Sequence, residues 1–231
     1  MLASLLAWAH PALLPAFTAY GTPVTWLEGV AFVLSLWMVG CNMRVHWLGW
    51  PLAIVSSALY ALLFLDSRLY GEASLQVFFA VVAGWGWWQW LRGRDAQGHA
   101  LVVQRLSAAL RVRVTVATLV AWPLLGLMLR HYTDSDVPWL DGLSTAGSIA
   151  GQFLLGRKFL ENWAVWLAVN VFSVVLFTVK GLWLTVILYA IFAVLSVAGW
   201  RAWRALEGRR DAASAEAAAG AARAAAGLPA A

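Results

Sequence analysis

Charge is scarce in this chain: only 12% of its 231 residues are Asp, Glu, Lys or Arg, while 62% are hydrophobic. A soluble domain could not cover its surface with so few polar groups. Cysteine is nearly absent as well. Cys41 stands alone, which excludes an internal disulfide, and no Cys/His pair has the spacing of a zinc or redox site. The four histidines, His10, His46, His99 and His131, avoid the middles of the apolar runs and share no helical face, which argues against a haem or metal centre. No Ser/His/Asp set or carboxylate pair falls at a shared depth. The chain therefore reads as neither an enzyme nor a metalloprotein, and no cofactor is expected. The first twenty residues hold no lysine or arginine, so the basic region of a cleavable signal peptide is missing, and Pro11 and Pro15 interrupt the stretch. Residues 1–24 are expected to form an interfacial segment.

What the chain has in plenty is long apolar runs. A spanning helix needs roughly 20 mostly apolar residues. Seven can be drawn, at 25–42, 46–65, 70–91, 113–131, 140–156, 160–179 and 182–203, which predicts an all-α membrane protein with seven transmembrane helices. The fifth is semi-polar, carrying Asp141, Thr145, Ser148 and Gln152. The net charge of +5 is not a nucleic-acid signal, because the cations are sorted by side. With seven spans, 13 of the 16 Lys and Arg fall on one face of the membrane, leaving Arg68, Arg130 and Lys180 on the other. That bias places the N-terminus outside and the C-terminus in the cytoplasm. The Ala-rich residues 206–231 offer nothing large to bury and are expected to be a disordered tail.

Tryptophan is the second abundance, densest in "GWGWWQW" at residues 84–90. Trp47 and Trp50 begin one apolar span as Trp163 and Trp166 begin another, and "GWWQW" from Gly86 resembles "GWRAW" from Gly199. The separations are 40 residues from Trp47 to Trp87 and 37 from Trp163 to Trp200. Residues 25–91 and 140–205 are thus expected to be two three-helix repeats, joined by a cytoplasmic loop and linker helix at 92–139. Such a 3+1+3 parallel repeat places a ligand near the midplane between the halves. Trp87, Trp88, Trp90, Trp200 and Trp203 fall beside arginines and suit an aromatic belt at headgroup depth. Trp47, Trp87, Trp90, Trp200 and Trp203 are also the candidates for an inner gate or interface.

Polar residues inside spans are costly unless they face protein or water. In the sixth span Trp163, Trp166, Asn170 and Ser173 recur at steps of three, four and three, with Asn162 at their border. Glu72, Gln76, Phe79 and Ala83 form a stripe on the third span, and Thr185, Tyr189, Phe192 and Ser196 on the seventh. Singly, small polar residues also serve to join helices. Stripes on four helices suit a shared cavity instead. Aromatic walls with amides fit a flat, polar, uncharged or cationic ring. No span centre carries Arg or Lys to meet a phosphate, or Asp or Glu to couple protons, so passive movement is expected. Glu161 is expected to pair with Arg157 or Lys158 a turn earlier.

Over residues 26–205, the ordered set "WPLAIVSSALYALLFLDSRLYGE", "LQVFF", "GWGWWQW" and "RKFLENWAVWLAVNVFSVVLFTVKGLWLTVILYAIFAVLSVAGWRAW" resembles the PnuC family of bacterial vitamin transporters. The most specific part is "ENWxxWxxxN" with the downstream "KGLW" and "GWRAW". The resemblance implies a seven-helix SWEET-like fold in the bacterial cytoplasmic membrane. It further implies facilitated diffusion of nicotinamide riboside, trapped in the cytoplasm by phosphorylation. Thiamine and riboflavin carriers of the same fold are the alternative. It implies substrate contact by Gln76, Asn162, Trp163, Trp166, Asn170 and Tyr189, and trimeric assembly; Phe79 and Ser173 join them on the stripes. The chain departs from the family pattern at Phe79 and Trp85, where tyrosine is expected.

Overall fold

The computed structural model describes residues 11–19, 21–66, 70–95, 97–133, 137–179 and 183–225. A β-hairpin comes early, within the segment expected at the membrane interface, residues 1–24, of which 1–10 lie outside the described residues. Its strands β1 (Pro15–Ala19) and β2 (Thr22–Thr25) pair antiparallel, and Gly21 turns between them at φ +81°, a left-handed conformation that glycine adopts readily. Seven helices follow it among the described residues: α1 (Trp26–Met43), α2 (Gly49–Asp66), α3 (Tyr70–Arg92), α4 (Ala108–Tyr132), α5 (Pro138–Gly156), α6 (Asn162–Val179) and α7 (Trp183–Ala225).

Local chemistry starts these helices where the sequence offers caps. Thr25 Oγ1 accepts from the Glu28 N–H at 3.1 Å and Ser107 Oγ from the Leu110 N–H at 3.2 Å, while Pro138 opens α5. α1, α4 and residues 186–219 within α7 are long and apolar enough to cross a membrane; Gly49–Leu63 and Asn162–Thr178 are shorter apolar stretches. α4 exposes Val112, Val116, Leu119, Val120 and Leu124 along its length, a surface that lipid accepts and water does not.

The packing is paired. α2 lies between α1 and α3, as α6 lies between α5 and α7; α3 packs on α5, α7 packs on α1, and α4 leans on α5. Individual contacts repeat the pairing at a constant separation of 113 residues. Trp50 meets the ring of Trp90 edge-on at 5.5 Å and 84°, and Trp163 meets Trp203 at 5.7 Å and 88°. Gly86 lies flat against Trp50, and Gly199 against Trp163. Trp90 Nε1 donates to the Leu155 carbonyl and Trp203 Nε1 to that of Asn42, both at 3.0 Å. The turns before α2 and α6 match as well, with Val45 at φ 54° and Lys158 at φ 57°. This register replaces the one drawn from the W-x-x-W strings. Trp50, not Trp47, is the counterpart of Trp163, and the apparent difference of 40 against 37 residues disappears.

Three expectations need correction. Trp203 is fully buried and Trp90 packs in the same cluster with Trp50 and Trp163, so neither belongs to a headgroup belt. Indole N–H groups that find carbonyl partners can be buried, and these do. Trp87 and Trp200 pack against that cluster, Trp47 stacks on Trp87 at 6.2 Å, and Trp88 alone of the five belt residues is largely exposed. Second, the helix of α7 runs to Ala225 where a disordered tail was expected from residue 206, since alanine is the best helix former. Third, Glu161 pairs with Arg111 at 3.3 Å and accepts from the Leu106 N–H at 3.0 Å. The turn at 157–161 is not a regular helix, so no i–4 partner is in reach.

The segment between α3 and α4 is fastened at this end of the bundle. Gln104 exchanges backbone bonds with Lys158 and Leu160, and Arg105 grips the buried Glu207 of α7 at 2.8 Å. Arg210 Nη1 adds a bond to the Val103 carbonyl at 2.7 Å.

Candidate functional site

Between the paired helices lies a cavity of about 740 Å³, within the range of small-molecule sites. It runs from the hairpin, where Phe17 and Val24 border it, to the tryptophan cluster, where Trp50 and Trp163 do. Seven of the eight residues expected to contact a ligand lie on its wall: Gln76 and Phe79 from α3, Asn162, Trp163, Trp166 and Asn170 from α6, and Tyr189 from α7. Ser173 does not. It is buried, 1% exposed, but is off the wall: on an ideal helix it turns about 60° from Asn170, and its short side chain does not span the gap. Ala83 of the third stripe is likewise buried away from the cavity. The Glu72 and Thr185 side chains lie outside the described residues.

The wall divides into two chemistries. Toward the hairpin, Phe177 stacks on Tyr189 at 5.2 Å, and Tyr189 meets Phe192 edge-on at 6.2 Å, giving a three-ring corner. Midway, Asn170 Nδ2 donates to Ser196 Oγ at 3.1 Å, and Ser196 donates on to the Phe192 carbonyl at 2.8 Å. The serine thereby fixes one side of the amide. Toward the tryptophan cluster, five buried polar atoms on wall residues have no partner among the described residues: Asn42 Oδ1, Gln152 Oε1, Asn162 Oδ1 and the indole nitrogens of Trp50 and Trp163. Buried polar groups left unpaired are costly, yet these atoms are closed off from the open space, Asn42 Oδ1 against Gly49, so they are a strain of this packing and not a row of ligand contacts.

Trp166 is set by α5. Gly151 faces it, and a Cβ there would come within 2.9 Å of Cε2. The positions 113 residues earlier are Ala53 and Met38, so the large ring and its small neighbour occur on one side only. The cavity is thus twofold in its frame and one-sided in its aromatic face.

Two helices of the wall were missed from the sequence. α1 contributes Glu28, Phe32, Ser35, Val39 and Asn42, and α2 contributes Trp50, Ala53, Ser56, Ser57 and Tyr60. Steps of three and four run through both sets, so the stripe criterion that found the other helices applied equally here. Ser35 and Ser56 bond to one another at 3.0 Å, which joins α1 to α2 beside the cavity. No Lys, Arg or His is among the described residues of the wall; Glu28 is its one charged side chain.

Residues 25–205 match the profile of the family described as nicotinamide mononucleotide transporter. The nicotinamide riboside transporter PnuC of Escherichia coli K12 is 25% identical over 190 residues, 71% of this chain and 79% of that one. The riboflavin/roseoflavin transporter RibM of Streptomyces davaonensis is 29% identical over 179 residues, 77% of this chain and 84% of the other. A crystal structure of the vitamin B3 transporter PnuC superimposes with a TM-score of 0.66 at 24% identity, covering 90% of this chain and 87% of that chain.

Proposed function

From the premise that the chain belongs to the nicotinamide mononucleotide transporter family, we propose that it carries nicotinamide riboside across the bacterial cytoplasmic membrane by facilitated diffusion. The observation that carries this reading is the absence of any cationic side chain among the described residues of the wall. A mononucleotide would bring a phosphate dianion into a low-dielectric site with no counter-charge, an unfavourable transfer. The riboside brings a pyridinium, a carboxamide and ribose hydroxyls. Aromatic faces attract the first, and amide side chains of the wall such as Gln76 and Asn170 suit the others.

The helices work as two parallel three-helix repeats, α1–α3 and α5–α7, with α4 as connector, all seven crossing the membrane. The contacts at 113-residue spacing support that reading. The two halves rock about the cavity, as in transporters built from parallel repeats. Arg44, Arg92, Arg94, Arg157, Arg201 and Arg204 gather at the tryptophan end, which makes it the cytoplasmic end and the hairpin external. In this state Trp50, Trp90, Trp163 and Trp203 close the inner side. Opening it breaks the Trp90–Leu155 and Trp203–Asn42 bonds together. No ion gradient is needed, because phosphorylation in the cytoplasm removes the imported riboside.

Thermal-shift titration of purified protein with nicotinamide riboside, its mononucleotide, thiamine and riboflavin tests the assignment. Nicotinamide riboside is expected to stabilise most at equal concentration. Stronger stabilisation by riboflavin, the cargo in the name of RibM, or by the mononucleotide would replace it.

A further inference from the structure

We propose that Glu28 is a charge filter at the external mouth of the cavity, selecting permeants whose ring carries a fixed positive charge. The inference rests on the transport reading above and narrows its substrate class.

Glu28 occupies the first turn of α1, where its N–H is held by Thr25 Oγ1. α1 and α2 run in opposite directions, so this turn lies at the same end as Tyr60, late in α2. Phe177, late in α6, and Tyr189, early in α7, are at that end too; all four border the cavity. No ion pair joins Glu28 to another described residue. With no Lys, Arg or His among the described wall residues, the cavity has a net negative charge concentrated at one entrance. Low-dielectric walls focus such a field, which raises the local concentration and entry rate of cations and lowers those of anions. The neighbouring aromatic faces add attraction of the same sign. A flat cation entering past the hairpin thus meets a carboxylate first and the Phe177–Tyr189–Phe192 corner next.

The arrangement is one-sided. The residue 113 positions on is Asp141, also a carboxylate in the first turn of its helix, yet it is not part of the wall. Of the two matched carboxylates, the cavity uses only Glu28.

Thr25 and Glu28 also have the spacing of a capping box, in which the acid serves the helix start. Glutamine serves that role equally well, so Glu28→Gln removes charge and keeps the cap. The probes are nicotinamide riboside and its 1,4-dihydro form, which shares the ribose and carboxamide but has an uncharged ring. In proteoliposomes carrying the full chain, Glu28→Gln should slow initial uptake of the cation by roughly tenfold and leave the neutral form within about twofold. The difference should shrink as salt is raised, since an exposed mouth is screened. Melting temperature should not move. An equal loss for both forms would mean a structural role and overturn the inference, as would an unchanged rate for the cation. If wild-type protein carries neither form, the transport reading fails and takes this inference with it. If wild type carries the cation and the variant does so equally well, only the filter fails.

Discussion

Gly199 presses closely on Trp163, and Gly199→Ala tests that contact. A Cβ on Gly199 would lie 2.5 Å from Cε3 and Cζ3 of Trp163 and 2.6 Å from Cδ2. Carbon atoms in good contact are about 3.5–4.0 Å apart, so the ring would have to withdraw by about 1 Å. It has little room. Trp163 is 4% exposed and in edge contact with Trp203, which is itself fully buried and tied to Asn42. Overpacking of a well-filled core costs about 1–3 kcal/mol, and three rigid ring atoms place this case in the upper half. Alanine's better helix propensity returns about 1 kcal/mol, leaving a net loss of about 1–2 kcal/mol. The folded-to-unfolded ratio in a denaturant titration in detergent should fall accordingly, by roughly 5- to 30-fold at fixed denaturant. Gly86→Ala, which meets Trp50 in the same way, should behave alike. Gly84→Ala, two residues away with nothing within 4 Å of its added Cβ, should match or exceed wild type. Equal stability of Gly199→Ala and Gly84→Ala would refute the twin tryptophan–glycine packing.

The other predictions concern the wall and one lysine beyond it. Gly151→Ala crowds Trp166, but that ring borders the cavity and can move into it; stability should hardly change while nicotinamide riboside affinity falls roughly tenfold by calorimetry. Trp166→Ala and Asn170→Ala should each weaken binding roughly tenfold or more with little change in melting temperature, because Ser196 keeps its bond to Phe192 without Asn170. Lys158 lies in the turn between α5 and α6, and burial pulls its ammonium below the usual lysine range. The unfolded chain then holds that proton more tightly than the folded one. Stability should therefore rise with pH between the depressed value and the ordinary one near about 10.5. Melting curves of wild type and Lys158→Met should converge toward the top of that interval; parallel curves would contradict it.

Much of the architecture was legible because the membrane simplifies it. Runs long enough to span, and polar stripes at steps of three and four, follow from geometry that no tertiary contact overrides. The α6 and α7 wall residues were found that way. Trp90 and Trp203 were misread for a physical reason: indole suits both a headgroup belt and a buried hydrogen bond to a helix-end carbonyl. Only the position of Leu155 and Asn42 decides between them. The repeat register slipped because W-x-x-W was matched as a string. Trp50 and Trp163 are equivalent through the glycines they press on, and those contacts are 36 residues away in each case, at Gly86 and Gly199. Glu28 lies in the first turn of α1, consistent with the lack of Asp and Glu at span centres. That the same turn borders the cavity depends on how α1 packs on α2 and α7, which no local pattern encodes.

Counterflow and net uptake of labelled nicotinamide riboside in proteoliposomes, with no ion gradient imposed, address the central claim most directly. The account predicts saturable entry that stops when inside and outside concentrations are equal, is unaffected by an uncoupler and is not inhibited by the mononucleotide. Accumulation above the external concentration on imposing a pH gradient with the membrane potential clamped at zero, or inhibition by the mononucleotide as strong as by the riboside itself, would contradict it.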